Sequence, residues 1–187
     1  MPYAARCGGL ELPAGIGWRV RIGRYVRLMQ GYASLGVTPA KLSELRAAAQ
    51  AARRVNYAPY SDFVVLAAVE TSDGGIFGGS NVENVNYSLT KHAEELAVLA
   101  AMLAGAGPGG HWVKTLYVTS ASPCGSCRQF VAEFGNADTV VLIDRIDQET
   151  TRSADLPRLD DARIEAWTLG GLLPAAFAST DLDSPRA

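Results

Sequence analysis

The residues that could do chemistry lie in two short motifs. The first is His92-Ala93-Glu94, and the second is Pro123-Cys124-Gly125-Ser126-Cys127. One imidazole and two thiols are a complete ligand set for a catalytic zinc ion, which takes three protein ligands and keeps a fourth position open for water. A carboxylate two residues after the histidine could move protons at that open position. We therefore predict that the histidine and both cysteines bind Zn²⁺ and that Glu94 is catalytic.

Each motif lies at the beginning of a predicted helix. Apolar residues follow His92 at helical spacing up to Leu103, and a second helix is predicted from Cys124 to about Phe134. Free N–H groups and a partial positive charge at a helix N-terminus favour thiolates. Two such helix starts placed side by side could therefore bring the three ligands together, and two thiolates with one neutral imidazole would balance the charge of Zn²⁺.

Two other uses of the CxxC pair remain open at this stage. It could be a redox pair, or half of a structural zinc site, which would need a fourth ligand. His111 lies in a glycine-rich loop and Cys7 in an unpatterned segment, and neither has ligand spacing to the pair. The catalytic interpretation is therefore favoured. An odd count of three cysteines also favours a metal site in a reducing compartment over a disulfide framework.

The composition predicts a single globular domain with appendages. Apolar residues make up 48% of 187 residues, which is enough for a substantial core. Residues 1–30 contain five arginines and one glutamate, a net of +4, so the rest carries −6 within the total of −2. We predict an unpatterned basic N-terminal extension over 1–30, a catalytic domain over 31–182 and a tail over 183–187. A basic arm that touches nucleic acid or a partner subunit is the alternative for the extension, but the acidic body makes nucleic acid an unexpected partner.

No membrane association or export is expected from the sequence. The richest apolar stretch, Leu96 to Ala106, is much shorter than the roughly 20 residues that span a bilayer. The first residues also lack the apolar core of a signal peptide. We therefore expect a soluble, cytoplasmic protein.

The order of predicted elements indicates an α/β fold. A helix is predicted to begin at Thr38-Pro39 and to fade near Asn56. A hairpin turn at 72–75 joins two strands, and strand–helix alternation from Ile76 to Ile143 predicts a central sheet with parallel neighbours. The strands are predicted at 63–69, 76–82, 113–120, 139–143 and 164–169. Residues 145–161 are predicted to be a surface insertion, and 172–177 a short helix.

Several stretches together resemble the cytidine deaminase family, the zinc enzymes that act on free nucleosides and carry an H-x-E…P-C-x-x-C pattern. The resemblance covers about Thr38 to Leu182. The stretches that carry it are Ala58-Pro59-Tyr60-Ser61-Asp62-Phe63, Asn81-Val82-Glu83-Asn84, His92-Ala93-Glu94, Ser122 to Gln129 and Leu172 to Phe177.

This resemblance implies a fold, an activity and an assembly. The fold would be a three-layer α/β/α sandwich with a mixed five-stranded sheet. The activity would be hydrolytic deamination of cytidine or 2′-deoxycytidine in pyrimidine salvage, with one Zn²⁺ per subunit. Glu94 would take a proton from the attacking water and deliver protons to ring N3 and the leaving amino group. Short members of the family are homotetramers, so a homotetramer is implied, with a homodimer as the alternative.

The resemblance also implies residues that bind the nucleoside. Asn81 and Glu83 would hold the ribose 3′-hydroxyl. Phe63 would lie against the pyrimidine, although a core position in a strand is the alternative. The backbone of Ala93, with that of Cys124, would contact the base. Two further aromatic residues would reach a neighbouring subunit's site, namely Tyr87 and Phe177.

The sequence departs from the short members of the family at several positions. They generally have Cys at the position of His92 and Arg at that of Glu95, where the arginine offsets the charge of the third thiolate. They usually have Gly at the position of Leu66, and the 145–161 insertion is unusual among them. The altered stretch from Tyr87 to Lys91 suggests an alternative substrate, a modified cytosine nucleoside such as one resembling blasticidin S. A polynucleotide editor and a non-catalytic zinc scaffold are weaker alternatives, because the Asn81/Glu83 pair opposes the first and Glu94 opposes the second.

Overall fold

The computed structural model describes residues 31–107, 110–153 and 164–182. The predicted N-terminal extension and the tail lie outside the described residues. The described strands form one mixed sheet in the order β2-β1-β3-β4-β5, in which β3 and β4 pair in parallel and all other neighbours are antiparallel. The strands are β1 Leu66–Thr71, β2 Ile76–Ser80, β3 Val113–Thr119, β4 Val140–Asp144 and β5 Ile164–Thr168.

Helices cover both faces of the sheet, which confirms the three-layer α/β/α prediction. The helices are α1 Pro39–Ala52, α2 Ala93–Leu103, α3 Gly125–Phe134, α4 Gln148–Arg152 and α5 Leu169–Leu172. Successive residues of a strand point to opposite faces. On β1, Leu66 and Ala68 accordingly pack in the core beside α1, whereas Ala67 and Val69 pack in the core beside α2. Leu66, at the position where the family usually has Gly, is fully buried in the first of these cores.

One part of the predicted topology is wrong. The strand–helix–strand pattern from Ile76 to Ile143 predicted that β2, β3 and β4 are parallel neighbours, and this holds for β3 and β4. Strand β1, however, lies between β2 and β3 and is antiparallel to both. Hairpin pairing of β1 with β2 fills one edge of β1, so β3 pairs with its other edge.

The two glycines of β2 allow α1 and α2 to approach the sheet closely. A Cβ at Gly78 would lie 2.2 Å from the carbonyl oxygen of Ala48 in α1. A Cβ at Gly79 would lie 2.4 Å from the carbonyl oxygen of Ala93 and from the backbone nitrogen of Ala97 in α2. These glycines therefore set the distance of both helices from the sheet, and Gly79 fixes the first turn of α2.

Three predicted boundaries also differ from the structure. Strand β1 begins at Leu66 and not at residue 63, because most backbone groups of residues 63–65 bond to the side chains of Asn81 and Gln148. The predicted helix at 172–177 is absent, since α5 ends at Leu172 and Ala175 has a left-handed φ of 55°. The segment 145–153 of the predicted insertion is not merely surface, because it contains α4 and the fully buried Thr151.

The helices of the described residues are all too short or too polar to cross a bilayer.

Candidate active site

The predicted metal ligands come together at two adjacent helix starts. His92 is the N-cap of α2 and Cys124 is the N-cap of α3, with Cys127 in the first turn of α3. The Nδ1 atom of His92 lies 3.1 Å from Sγ of Cys127 and 3.5 Å from Sγ of Cys124, and the two sulfurs are 3.5 Å apart. Within the described residues these three side chains form a cluster suited to a metal ion.

The size and chemistry of this cluster fit zinc. Three ligands around a tetrahedral Zn²⁺ stand about 3.5–3.8 Å apart for Zn–N and Zn–S bonds of about 2.0 and 2.3 Å. The observed triangle is only slightly tighter. Burial raises the pKa of the Cys127 thiol, and the nearby carboxylate of Glu94 raises it further. Because its pKa is raised, this thiol needs a nearby cation to ionise. A bound zinc ion would stabilise the thiolate that serves as its ligand.

Glu94 is buried beside the cluster, with only 4% of its surface exposed. It lies in the first turn of α2 and is close enough to Cys127 to share a hydrogen bond. Burial raises the pKa of this carboxyl, while the nearby His92 opposes the shift. A carboxyl whose pKa is raised toward neutrality is well suited both to accept and to return a proton.

The adjacent residue, Glu95, lies in a different environment. Its carboxylate is 3.7 Å from the ammonium group of Lys91, one helical turn away. The arginine that most short family members have here would add a positive charge near the ligands. With a neutral histidine in place of a third thiolate, that positive charge is not needed. The replacement of Cys by His at position 92 and the replacement of Arg by Glu at position 95 are therefore electrostatically consistent with each other.

A cavity of about 290 Å³ opens beside the ligand cluster. Its walls come from the segment before β1, the end of β2, the start of α2 and the loop after β3. The lining residues are Ser61, Phe63, Val65, Asn81, Glu83, Thr90, His92, Ala93, Glu94, Ala121, Ser122 and Cys124. Most of the predicted site residues thus border one cavity.

Asn81 connects the end of β2 to the segment that precedes β1. Its side-chain Nδ2 donates to the carbonyl of Phe63 at 2.8 Å. Its Oδ1 accepts from the backbone N–H of Val65 at 2.9 Å and from the amide of Asn56 at 2.8 Å. Asn81 is 8% exposed, so these bonds fix its orientation and leave one N–H of Nδ2 for a ligand.

Glu83 is held as a carboxylate by donors from one turn. It accepts from the backbone N–H of Tyr60 at 2.8 Å, from that of Ser61 at 3.3 Å, and from the Ser61 hydroxyl. The hydrogen bond from the Ser61 hydroxyl is the main reason why the pKa of Glu83 is lowered. The carboxylate therefore stays ionised near neutral pH, with acceptor capacity left for a hydroxyl group in the cavity.

The predicted aromatic contacts divide into two groups. Phe63 borders the cavity and is 41% exposed, so its alternative assignment as a strand core residue is wrong. Tyr87 and Phe177 do not line this cavity and are 73% and 62% exposed. Tyr87 packs edge-on against Tyr60, with ring centroids 6.1 Å apart.

Other residues of the site carried weaker sequence signals. Ser61 and Ser122 lie inside the family-like stretches, yet only the structure shows that they line the cavity. Thr90, Val65 and Ala121 have no distinguishing pattern. His111, the alternative fourth ligand, borders a separate cavity of about 570 Å³, and Cys7 lies outside the described residues.

The similar proteins described below, from sequence and from structure comparison, are named cytidine deaminases or probable cytidine deaminases. Residues 40–143 match the family model described as the cytidine and deoxycytidylate deaminase zinc-binding region. A cytidine deaminase of Sporosarcina psychrophila is 37% identical over 146 residues, which cover 75% of this chain and 94% of the relative. A probable cytidine deaminase of Dictyostelium discoideum is 39% identical over 141 residues, which cover 72% of this chain and 82% of the relative.

Solved structures that are similar to this chain are also cytidine deaminases. The cytidine deaminase of Burkholderia pseudomallei is 35% identical with a TM-score of 0.58, and the match covers 75% of this chain and all of that one. The enzyme of Mycobacterium tuberculosis is 34% identical with a TM-score of 0.55, covering 73% and 97% of the two chains. On the matched motifs, the shared fold and these identities, the chain belongs to the cytidine deaminase family.

Proposed function

We propose that this protein is a zinc-dependent cytidine deaminase that converts cytidine and 2′-deoxycytidine to uridine and 2′-deoxyuridine. The observation that carries the proposal is the buried carboxylate of Glu94 beside a His/Cys/Cys cluster, in a cavity that also presents Asn81 and Glu83. The names of the relatives support the same substrate class.

The reaction replaces the exocyclic amino group at C4 of cytosine with an oxygen from water and releases ammonia. Zn²⁺ bound by His92, Cys124 and Cys127 would supply a Lewis acid that makes water a stronger nucleophile at neutral pH. Glu94 takes the proton that water loses as its oxygen bonds to C4. The same carboxylic acid then protonates ring N3. Glu94 next carries the proton of the new C4 hydroxyl to the amino group, which leaves as ammonia as the C4 carbonyl forms.

The other residues of the cavity orient the nucleoside. Glu83 is fixed as a carboxylate and accepts a hydrogen bond from a ribose hydroxyl, while the remaining N–H of Asn81 donates to a ribose oxygen. The exposed ring of Phe63 offers an apolar surface to the pyrimidine. Ala93 is fully buried and brings its backbone to the base. Because such polar groups bind substrate and transition state alike, they act mainly on KM.

A deaminase specialised for a modified cytosine nucleoside is not favoured. The relatives named above are cytidine deaminases or probable cytidine deaminases. The stretch that motivated the alternative, Tyr87 to Lys91, contributes Thr90 to the cavity wall.

The same proposal includes an assembly and a cellular setting. We expect a homotetramer with one Zn²⁺ per subunit, acting in pyrimidine salvage in the cytoplasm, with a homodimer as the alternative. Exposed apolar side chains support self-association, since Leu103 is 91% and Val85 78% exposed. In such an assembly the exposed Tyr87 and Phe177 would reach a neighbouring subunit's cavity. Light scattering that finds only monomers would contradict the assembly.

The experiment is an ultraviolet assay of cytidine loss combined with metal analysis. It compares the wild type with Glu94→Gln and with Glu95→Gln, the matched change at the next residue. The wild type and Glu95→Gln should consume cytidine, whereas Glu94→Gln should keep its zinc and lose turnover. Negligible turnover of cytidine and deoxycytidine by the zinc-loaded wild type would contradict the proposed function.

A further inference from the structure

Helix α4 contacts two backbone segments that form walls of the proposed nucleoside cavity, although it lies in the stretch predicted to be a surface insertion. One wall is residues 62–65, before β1, and the other is residues 120–122, after β3. We propose that α4 is a clamp that fixes these two walls, and that Gln148 is the positioning residue for Phe63 and Asn81. The positioning role of Gln148 rests on the proposed function of the cavity. The contacts of α4 with the two walls do not depend on that function.

Gln148 pairs with the backbone of Val64 through both ends of its amide. Its Oε1 accepts from the Val64 N–H at 2.7 Å, and its Nε2 donates to the Val64 carbonyl at 3.0 Å. The side chain thus takes the place of a neighbouring strand at the point where β1 has not yet begun. Val64 is 7% exposed, so an amide that satisfies both backbone groups avoids the cost of leaving them unpaired.

The residues on either side of Val64 bond to Asn81. The carbonyl of Phe63 accepts from Nδ2 of Asn81, and the N–H of Val65 donates to its Oδ1. Holding Val64 therefore holds both backbone groups that orient the Asn81 amide. It also fixes the Cα from which the Phe63 ring enters the cavity.

Arg152 supports the same wall from the other end of α4. Its guanidinium donates to the carbonyl of Asp62 at 2.5 Å and lies 3.0 Å from the Asp62 carboxylate. Asp62 has a left-handed φ of 54°, a conformation that costs free energy for a residue other than glycine. The bond to Arg152 helps keep the turn before Phe63 in this conformation.

Thr151 holds the second wall. It is fully buried, and its hydroxyl donates to the carbonyl of Asp147 at 2.8 Å. Because a hydroxyl has only one proton, the 2.8 Å contact with Ser120 must have the serine as donor. Ser120 also has a left-handed φ, of 66°, and leads directly into Ala121 and Ser122 of the cavity wall.

The test compares Gln148→Met, which keeps side-chain length but removes both hydrogen bonds, with Glu149→Met, which places methionine at the exposed neighbouring residue. Hydrogen exchange of a peptide covering 62–66 should speed up in Gln148→Met and not in Glu149→Met. The value of kcat/KM for cytidine should fall roughly tenfold, as expected for the loss of one or two buried hydrogen bonds, mainly through KM. Zinc content should stay at the wild-type level, because α4 does not contact the ligand cluster through these bonds.

A second variant keeps the proposal testable if Gln148→Met folds poorly. Thr151→Val preserves shape and volume and should speed up exchange only in a peptide covering 119–123. Equal exchange in the Gln148→Met and Glu149→Met proteins would overturn the clamp. Faster exchange with unchanged KM and kcat would overturn the positioning role. If the wild type does not deaminate cytidine, the proposed function fails, while the exchange data still decide whether the clamp exists.

Discussion

Replacing Gly79 with alanine should disturb the metal site through the first turn of α2. A Cβ at this position would lie 2.4 Å from the Ala93 carbonyl oxygen and from the Ala97 nitrogen, and 2.9 Å from the carbonyl carbon of Leu96. All three are backbone atoms, so no side chain can rotate away. Restoring ordinary contact of about 3.4 Å requires α2 to move by roughly 1 Å at its start. Overpacking of this kind costs about 1–3 kcal/mol of stability.

The functional loss should be larger than the loss of stability suggests. Ala93 lies between His92 and Glu94, so the shift moves a ligand and the proton carrier together. A misplacement of about 1 Å can cost on the order of 100-fold in rate. We therefore expect kcat/KM for cytidine to fall about 100-fold per folded, zinc-loaded protein.

Gly78→Ala is the matched control for this prediction. Its Cβ would press on the Ala48 carbonyl in α1, on the opposite face of the same strand. It should lower the melting temperature in a similar way, yet change kcat/KM by less than about threefold, because α1 carries none of the site residues. Equal losses of kcat/KM in the two variants, measured at a temperature where both are folded, would show that Gly79 has no special effect on the metal site.

Two further predictions concern the assembly and the surface. Phe177→Ala should lower cytidine turnover, and mixing it with Glu94→Gln under conditions that exchange subunits should restore part of it. Recovery is expected because some hybrid sites then combine Glu94 of one chain with Phe177 of the other. No recovery on mixing would place the action of Phe177 within its own chain. Glu165→Gln should lower stability near neutral pH by no more than about 1 kcal/mol, because Arg145, its bidentate partner, is 40% exposed and solvent screens the pair. Hydrogen bonding to Arg145 lowers the pKa of Glu165, so this contribution is present above the ordinary value of 4.5 and is lost as pH falls through the depressed value. Urea titrations would measure the difference in stability between the wild type and Glu165→Gln. A difference that persists well below the depressed pKa of Glu165 would contradict a stabilising role for the ion pair.

The chemistry of the site could be predicted from sequence because it lies in local motifs. The spacing in His92-Ala93-Glu94 and in the CxxC pair, together with their positions at helix starts, already predicted the ligand cluster that the structure brings together. The alternation of elements likewise predicted an α/β fold with a central sheet, and the family resemblance implied its three layers. These signals depend on neighbouring residues, which the sequence displays directly.

Other features depend on distant contacts and could not be predicted. Nothing in the sequence around Gly78 and Gly79 indicates that these glycines let two helices approach the sheet. Gln148 bonds to a residue 84 positions earlier, and its stretch is polar enough to look like a simple surface loop. The predicted helix at 172–177 failed because apolar composition alone does not reveal the left-handed turn at Ala175.

The most direct test of the central claim is cytidine turnover per bound zinc, measured on one preparation of Glu94→Gln beside the Glu95→Gln control. Glu94 is the buried carboxylate next to the ligands, whereas Glu95 pairs with Lys91. We expect wild-type zinc content in both variants and a loss of at least about 100-fold in turnover for Glu94→Gln alone. Wild-type turnover per zinc in Glu94→Gln would contradict it.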